Sequence, residues 1–399
     1  MKNFSKLARA YALKNAIAYE GHARIGAVIS ALFNEGLKKS DVSKYSKKIN
    51  EIIIEVNSME KDLQEKEFEK LKEIISERSS REGLPELPNA KRGKVIMRFA
   101  PSPSGPFHIG HALTASLSFL FVKEYGGKLY VRIEDTNPEN IYAPAYKMIQ
   151  DESRWLFENI GEVIIQSDRM ELYYSYVEKL IKKHAAYVCT CSSEKFKELV
   201  DKKKPCPCRV LTMKENEGRW KKMLDSKGFD QGEAVLRFKS DIKDKNPAMR
   251  DFPLARINLE KHPRQGKKYR VWPLMNLAVT VDDIELGMTH IIRAKDHRDN
   301  AERQKKLYKV LGEKFPWTGF LGRIKFKDME LSATKMRKEI EEKKYSGWGD
   351  KRLPTIASLK KQGYRPEAFW KFAERIGISE NDKVLDKKEF FTLLDSFNR

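Results

Sequence analysis

The chain has 399 residues, 40% hydrophobic and 10% aromatic, a composition that excludes a disordered protein and allows several folded domains. Its 78 lysines and arginines exceed its 57 aspartates and glutamates, and the net charge of +21 favours a polyanionic partner such as nucleic acid. Because no apolar run reaches the ~18 residues that span a bilayer and the N-terminus does not resemble a secretory signal, we expect a cytoplasmic protein without membrane contact.

The N-terminal region, residues 1–90, shows helical spacing with few strand signals. Lysine and glutamate are dense between Val42 and Ile75, and the pattern is lost over 84–91, which predicts a linker. The region carries no catalytic constellation. We therefore expect a helical appendage that docks onto another molecule or contacts RNA.

Residues 91–188 alternate between strand and helix signals. A strand is predicted over 94–100, a helix over 111–125 that stops at Gly126, and a strand over 128–134. A helix around 146–158, a short strand over 163–166 and a helix over 169–184 follow. This order is typical of one half of a doubly wound parallel α/β sheet, a fold that holds nucleotides.

The loop between the first strand and the first helix of this half is rich in proline, serine and glycine. Gly105 and Gly110 let a phosphate approach the backbone, and the helix N-terminus favours an anion. His108 and His111, three residues apart on the first turn, point toward one ligand, where they can stabilise a pentacovalent phosphate. The spacing alone is equally compatible with ordinary capping or surface histidines.

Regularity breaks over residues 189–268, which predicts an insertion into the nucleotide fold, with a basic run over 202–204 and a strand over 234–239. All four cysteines lie in it as two C-x-C pairs with 14 residues (192–205) between them: Cys189, Cys191, Cys206 and Cys208. This pattern predicts a tetrahedral zinc site that stabilises a small domain. Four free thiols are the alternative, because C-x-C is tighter than the usual C-x2-C.

The strand and helix pattern resumes in residues 269–345, with signals over 269–280, 288–293 and 298–311. A later loop, Leu331–Met336 (LSATKM), stands where a mobile element can bring a cation to a phosphate. Residues 346–399 again show helical spacing, over 365–397. The catalytic domain is thus predicted to be split by the insertion and flanked by helical regions at both ends.

The sequence His108-Ile-Gly-His111 after a proline-rich loop resembles the signature of class I aminoacyl-tRNA synthetases, and the run 100–105 (APSPSG) resembles the glutamyl branch. The segments 291–300 and 347–359 are similar to the archaeal glutamyl and glutaminyl group, as is the helical N-terminal appendage. The resemblance implies a Rossmann-like fold that uses ATP with Mg2+ to convert glutamate to glutamyl-adenylate. It then implies transfer to the 3′ end of tRNA(Glu), leaving tRNA(Gln) open.

The resemblance also implies roles for individual residues. His108, His111 and Lys335 would stabilise the transition state, and ATP would contact Gly105, His108, Gly110, His111, Ser332 and Lys335. Glutamate would be bound by Arg98, Ala100, Ser102, Glu134 and Arg293, since arginine is the best carboxylate clamp. For both arginines a structural salt bridge, for instance with Glu134 or Asp135, is the alternative.

Two departures from the family pattern stand out. The loop 331–336 resembles the KMSKS loop, but Ala333 stands where the second lysine is expected, and Lys335 is left to supply the charge. Met275 stands where relatives often carry tyrosine, although an apolar residue at this spacing is usually core.

The resemblance places the grip on the tRNA acceptor end in the insertion and a stem contact in 346–399. Full-length relatives continue into β-barrels that read the anticodon, which leaves open a separate chain for that task. Three other readings stay open: a glutamyl-queuosine tRNA synthetase-like enzyme, a catalytically silent tRNA-binding paralogue or fragment, and a small-molecule nucleotidyltransferase.

Overall fold

The protein is described by a computed structural model that covers residues 3–75, 83–158 and 162–399. Residues 1–2 and 76–82 of the predicted appendage lie outside the described residues. The chain divides into two compact units, Met1–Glu82 and Gly83–Arg399. None of the helices in the described ranges is long and apolar enough to cross a membrane.

The first unit is helical in its described part. Helix α1 packs against the other three helices through small and branched side chains, including Ala8, Leu13 and Val56, all fully buried. The buried amide of Gln64 donates to the carbonyls of Gly21 and Val56, which ties the turn after α1 to the C-terminal end of α3. The helices are α1 (Phe4–Ala18), α2 (Ile25–Asn34), α3 (Val42–Asn57) and α4 (Lys61–Leu71).

The second unit begins with three parallel strands in the order β1-β2-β3, in which Ile96 pairs with Lys128 and Val131 with Val163. The predicted elements of this half are present, with ends shifted by at most two residues. Helix α5 ends at Gly126, whose positive φ of 67° suits glycine. The elements are β1 (Ile96–Phe99), α5 (Ile109–Tyr125), β2 (Lys128–Ile133), α6 (Ala145–Leu156), β3 (Val163–Ile165) and α7 (Met170–Lys182).

The insertion contains a four-stranded antiparallel sheet in the order β4-β5-β6-β7. The sheet starts at Ala186 and ends at Pro273, so its outer strands lie beyond the predicted range of 189–268. The elements are β4 (Ala186–Cys189), α8 (Ser193–Asp201), α9 (Met213–Leu224), β5 (Val235–Phe238), β6 (Pro253–Ile257) and β7 (Val271–Pro273).

The nucleotide fold resumes with a parallel pair, β8 and β9. The Thr289 N–H donates to the Ile96 carbonyl at 3.0 Å, which places β8 beside β1 and brings both halves to one sheet edge. Helix α14 packs on α5, and β10 pairs in parallel with β11. The elements are α10 (Met275–Glu285), β8 (His290–Ala294), α11 (Arg298–Leu311), β9 (Trp317–Leu321), β10 (Ile324–Phe326), α12 (Ala333–Glu341), α13 (Ile356–Lys361), α14 (Pro366–Ile376), β11 (Lys383–Leu385) and α15 (Lys387–Phe397). The predicted α/β class with parallel sheets is confirmed.

Candidate functional site

We call residues 100–111, from the end of β1 to the first turn of α5, the signature loop, and its two histidines form one stacked pair. His108 is the N-cap of α5, and its Nδ1 accepts a hydrogen bond from the His111 N–H at 3.3 Å. The ring centroids lie 3.7 Å apart with an interplanar angle of 15°. The spacing on the first helical turn thus places both imidazoles on one side of the loop.

Both histidines are neutral near pH 7. Burial lowers the pKa of His111 to about 4, and burial together with the neighbouring His111 lowers the pKa of His108 well below its usual range. A neutral imidazole still donates one N–H to a phosphate oxygen. The pair therefore offers hydrogen bonds rather than positive charge.

The segment 331–336, which was predicted to be a loop, instead begins α12 at Ala333, because Ser332 caps that helix, and it lies directly against the signature loop. A Cβ on Gly105 would lie 3.0 Å from the Ala333 Cβ and 3.1 Å from the Trp348 ring. A Cβ on Gly110 would lie 3.2 Å from the Leu331 side chain. A side chain at either position would therefore require these neighbours to shift by a few tenths of an ångström. Ala333 is buried there, which explains why a small residue occupies the place of the expected lysine.

Lys335 lies in the first turn of α12, whose N-cap Ser332 accepts a hydrogen bond from the Lys335 N–H. Its ammonium group is exposed and bonds to Glu330 at 2.5 Å, which raises the pKa of Lys335. Because an exposed ion pair contributes little, this lysine is free to exchange Glu330 for a phosphate.

A cleft of about 880 Å³, part of it open to solvent, extends from His108 and Gly110 toward the C-terminal region. Sequence reasoning missed three cations that line it: Arg323, Lys325 and Lys383. Neither Ser332 nor Lys335 lines it, although their neighbour Leu331 does. The rest of the lining is largely apolar, and Arg323 is already paired with Asp296 at 2.7 Å, so Lys325 and Lys383 are the cations of the cleft without a carboxylate partner among the described residues.

A buried ionic cluster lies at the carboxyl ends of β1 and β2. Arg98 donates to both carboxylate oxygens of Asp283, at 2.8 and 3.3 Å. The fully buried Arg132 donates to the same aspartate at 2.5 Å and to Glu134 at 3.0 Å. Arg98 is thus in a salt bridge, but with Asp283 of α10 rather than with Glu134 or Asp135. Sequence reasoning missed both Arg132 and Asp283.

Arg293 differs from Arg98. It is 8% exposed and donates to the neutral amide of Gln304 at 2.8 Å. Among the described residues it makes no ion pair, and its Nε has no hydrogen-bond partner. Burial, with the neighbouring Arg98, lowers the pKa of Arg293 to about 10, so it is still a cation at pH 7. A buried guanidinium with an unused donor is suited to bind a carboxylate.

The remaining residues of the predicted glutamate site lie around this edge. Ser102 is exposed, Ala100 is half-buried, and the Glu134 N–H donates to the Pro101 carbonyl at 2.9 Å. Met275 is 37% exposed rather than core, and its sulfur contacts the Asn300 amide. Arg98, Arg132 and Arg293 therefore lie on three strands, β1, β2 and β8, and Glu134 and the signature loop follow β2 and β1 at the same sheet edge.

The four cysteines come together at the end of β4. All four sulfurs lie within 4.8 Å of one another, with Cys189 and Cys206 at 3.9 Å and Cys191 and Cys208 at 3.8 Å. A tetrahedral zinc with Zn–S bonds of about 2.3 Å places its sulfurs about 3.8 Å apart.

The surroundings of the cysteine cluster also suit a thiolate site. The Thr190 N–H and the Arg219 guanidinium donate to the Cys208 sulfur at 3.4 and 3.3 Å. The hydrogen bond between Cys189 and Cys206 lowers the pKa of Cys206 and raises that of Cys189. The four cysteines therefore fit a closed structural metal site, which leaves no open position for catalysis.

Comparisons with known proteins identify the family of this chain. Residues 94–396 match the family described as tRNA synthetases class I (E and Q), catalytic domain. The chain is 45% identical to the glutamate–tRNA ligase of Methanocaldococcus jannaschii over 93% of this chain and 66% of that one. It is 42% identical to that of Methanobrevibacter smithii over 100% and 71%.

Among solved structures, the glutamate–tRNA synthetase of Elizabethkingia anophelis matches with a TM-score of 0.54 and 20% identity, over 75% of this chain and 70% of that one, a likeness of fold. The chain spans about two thirds of the length of the curated relatives named above. The family match covers the strands, the signature loop and the insertion alike. The chain therefore belongs to the class I tRNA synthetases of the glutamate and glutamine group.

Proposed function

We propose that this chain is a glutamate–tRNA ligase, which activates glutamate with ATP and transfers it to the 3′ end of tRNA(Glu). The observation that carries the proposal is Arg293, a buried cation with an unused donor on the same sheet edge as the stacked histidines. A cation at this position favours the carboxylate of glutamate over the amide of glutamine. The relatives at 42–45% identity carry this name.

In the first step a glutamate carboxylate oxygen attacks the α-phosphorus of ATP, and pyrophosphate leaves. His108 and His111 donate neutral N–H groups to the phosphate oxygens, and the neighbouring loop brings Lys335 to the leaving group. Mg2+ accompanies ATP as its phosphate partner. The protein contributes positioning and charge stabilisation, the main effects that proteins supply to phosphoryl transfer.

In the second step a ribose hydroxyl of the terminal nucleotide attacks the acyl carbon, and AMP leaves. No covalent bond to the enzyme is required. In the glutamate site, Arg293 and Arg98 face the carboxylates and Glu134 accepts from the ammonium group. Ala100 and Ser102 border this pocket at the start of the signature loop.

The tRNA would bind along basic surfaces of the insertion. Lys203 and Lys204 are exposed, and Lys202 pairs with the exposed Glu198. Contacts of this kind are made to phosphates and 2′-hydroxyls, so affinity falls steeply with salt. The cysteine cluster would hold zinc and stabilise this part of the chain. Metal analysis of the purified protein tests that assignment, with Cys191→Ser and Cys208→Ser as the variants that lose the metal.

The proposed activity is tested by pyrophosphate exchange with glutamate and with glutamine, each with and without tRNA. We expect exchange with glutamate and none with glutamine. We also expect a large rise of KM for glutamate in Arg293→Ala. Arg154→Ala, which changes an exposed arginine, is the matched control. Exchange with glutamine only, or no exchange despite tRNA binding, would overturn the proposal, and the second outcome would favour a silent paralogue.

The site of transfer is tested by removing the 3′-terminal adenosine of the tRNA before charging. The truncation removes the acceptor ribose and leaves modified bases intact, so we expect glutamate transfer to be abolished. Persistent transfer would indicate a modified base as acceptor, as in glutamyl-queuosine tRNA synthetases.

A further inference from the structure

A segment from the C-terminal region lies across the signature loop. We call this segment, residues 346–356, the strap. The Ile109 N–H donates to the Pro354 carbonyl at 3.0 Å, and the Ile356 N–H donates to the Phe107 carbonyl at 2.8 Å. His108 and Thr355 form an antiparallel bridge between these two bonds. The residues on both sides of His108 are therefore held by the backbone of the strap.

The strap is itself well braced. The fully buried Thr355 donates its hydroxyl to the Trp348 carbonyl at 2.5 Å and caps α13 by accepting from the Ser358 N–H. The buried carboxylate of Asp350 accepts from the Ser346 N–H and from the Arg352 N–H and guanidinium. The strap thus presents fixed carbonyl and amide groups to the signature loop.

A buried carboxyl group joins the same contact from the other side. Glu152 of α6 is 8% exposed, and its Oε2 accepts from the Phe107 N–H at 2.6 Å. It also accepts from the backbone N–H of Ala357, the first residue after the strap. Among the described residues Glu152 makes no ion pair, although its neighbour Asp151 is exposed and pairs with Lys147. Burying a carboxyl group without a cation costs free energy. We therefore attribute the presence of Glu152 to the hydrogen bonds with its two backbone partners.

We propose that Glu152 and the strap are positioning elements of the ATP site, which fix the backbone of Phe107–Ile109 so that His108 and His111 keep their stacked geometry. The inference rests on the proposed function, because it concerns the same histidines. Neither element touches the reacting atoms. They act through the loop, which has little regular structure of its own and carries donors whose effect depends on sub-ångström placement.

The inference is tested with Glu152→Ala and Glu152→Gln, and Asp151→Asn is the matched control on the same helix. Pyrophosphate exchange is measured with kcat and KM for ATP separated. We expect Glu152→Ala to lower kcat about 10- to 100-fold with little change in KM, because the donors act mainly in the transition state. Glutamine keeps one acceptor oxygen, so Glu152→Gln should lie between alanine and wild type.

A second pair of variants tests the strap without changing a charged group. Thr355→Val removes the hydroxyl that joins the strap to Trp348, and we expect a smaller fall in kcat of about tenfold or less. Thr318→Val removes a hydroxyl that donates to Pro316, and it serves as control. If kcat of Glu152→Ala and Thr355→Val falls only in proportion to the folded fraction of each variant, or does not fall at all, the inference is overturned.

A measurement on the free protein separates this inference from the proposed activity. With histidine-selective labelling, NMR reports the ring contact between His108 and His111 in wild type and in Glu152→Ala. We expect the contact in wild type and its loss in the variant. An inactive wild type would contradict the proposed function, whereas an unchanged ring contact in the variant would overturn the positioning role whether or not the enzyme is active.

Discussion

The signature loop and the buried ionic cluster of Arg98, Arg132 and Asp283 lie on the same sheet edge, but their buried polar groups are stabilised in opposite ways. In the loop, His108 and His111 are neutral, and the backbone around them is held by a hydrogen bond that Glu152 accepts and by backbone hydrogen bonds with the strap. In the cluster, Arg98 and Arg132 are charged and share the carboxylate of Asp283. The phosphate-facing side thus depends on geometry and the carboxylate-facing side on charge balance, so different substitutions should damage each.

The strongest test of this contrast is Asp283→Ala. The substitution leaves Arg98 and Arg132 without their shared carboxylate in a buried site, an uncompensated charge that typically costs about 3–5 kcal/mol of unfolding free energy. Urea unfolding at pH 7 measures the effect, with Asp151→Ala as the exposed control. A loss below about 1 kcal/mol would show that charge balance does not stabilise this edge.

On the neutral side, His111→Ala should leave stability nearly unchanged and damage the reaction. Loss of one preorganised donor lowers kcat about 10²- to 10³-fold in comparable sites. Steady-state exchange kinetics measure this, and His22→Ala, at an exposed position of the first unit, is the control. The wild-type profile of kcat should show no inflection near pH 6.5, because both rings are already neutral there; an inflection of histidine origin would contradict the neutral pair.

Sequence reasoning succeeded where the signal was local. The apolar run of β1, the helical spacing of α5 and the glycine at its end placed these elements within two residues. It missed β6, which begins at Pro253, a residue that argues against a strand. For Arg98 it named only nearby carboxylates as alternative salt-bridge partners, whereas Asp283 lies 185 residues away in sequence. A partner that only the folded sheet brings close leaves no local trace.

The two departures from the family pattern show the same limit. Ala333 could be explained only once it was found buried against Gly105, and Met275 only once it was found at the surface. By contrast, the cysteine spacing contained enough information to predict the cluster of four sulfurs, because every cysteine belongs to one of two pairs. Contacts between distant segments, such as the strap on the signature loop, were not predictable from either segment alone.

The pH dependence of stability tests whether the carboxyl group of Glu152, which holds the signature loop, is desolvated. Burial raises the pKa of Glu152 to about 8, and the nearby charges of Lys360 and Asp151 oppose each other. The folded state therefore binds a proton that the unfolded state releases above about pH 4.5. The contribution of Glu152 to stability is full below that pH and is lost as pH rises through 8, by up to about 1.4 kcal/mol per pH unit.

Urea unfolding of wild type and Glu152→Gln between pH 5 and 9 measures this contribution as a difference between the two proteins. We expect the wild type to lose stability relative to the variant as pH rises. A difference that is flat across this range would mean that the carboxyl group titrates normally and is not desolvated.

The smallest effect on stability is expected at Lys335, the one predicted catalytic cation that is exposed. Lys335→Ala removes an ion pair with Glu330 that solvent already screens, so the thermal midpoint should not move. The exchange rate should nevertheless fall about tenfold, because the neutral histidines supply no charge to the leaving pyrophosphate. Glu330→Gln is the informative control, since it releases Lys335 without removing it and should keep or raise the rate. If Lys335→Ala retains full activity, the charge must come from the cations that line the cleft, Arg323, Lys325 and Lys383.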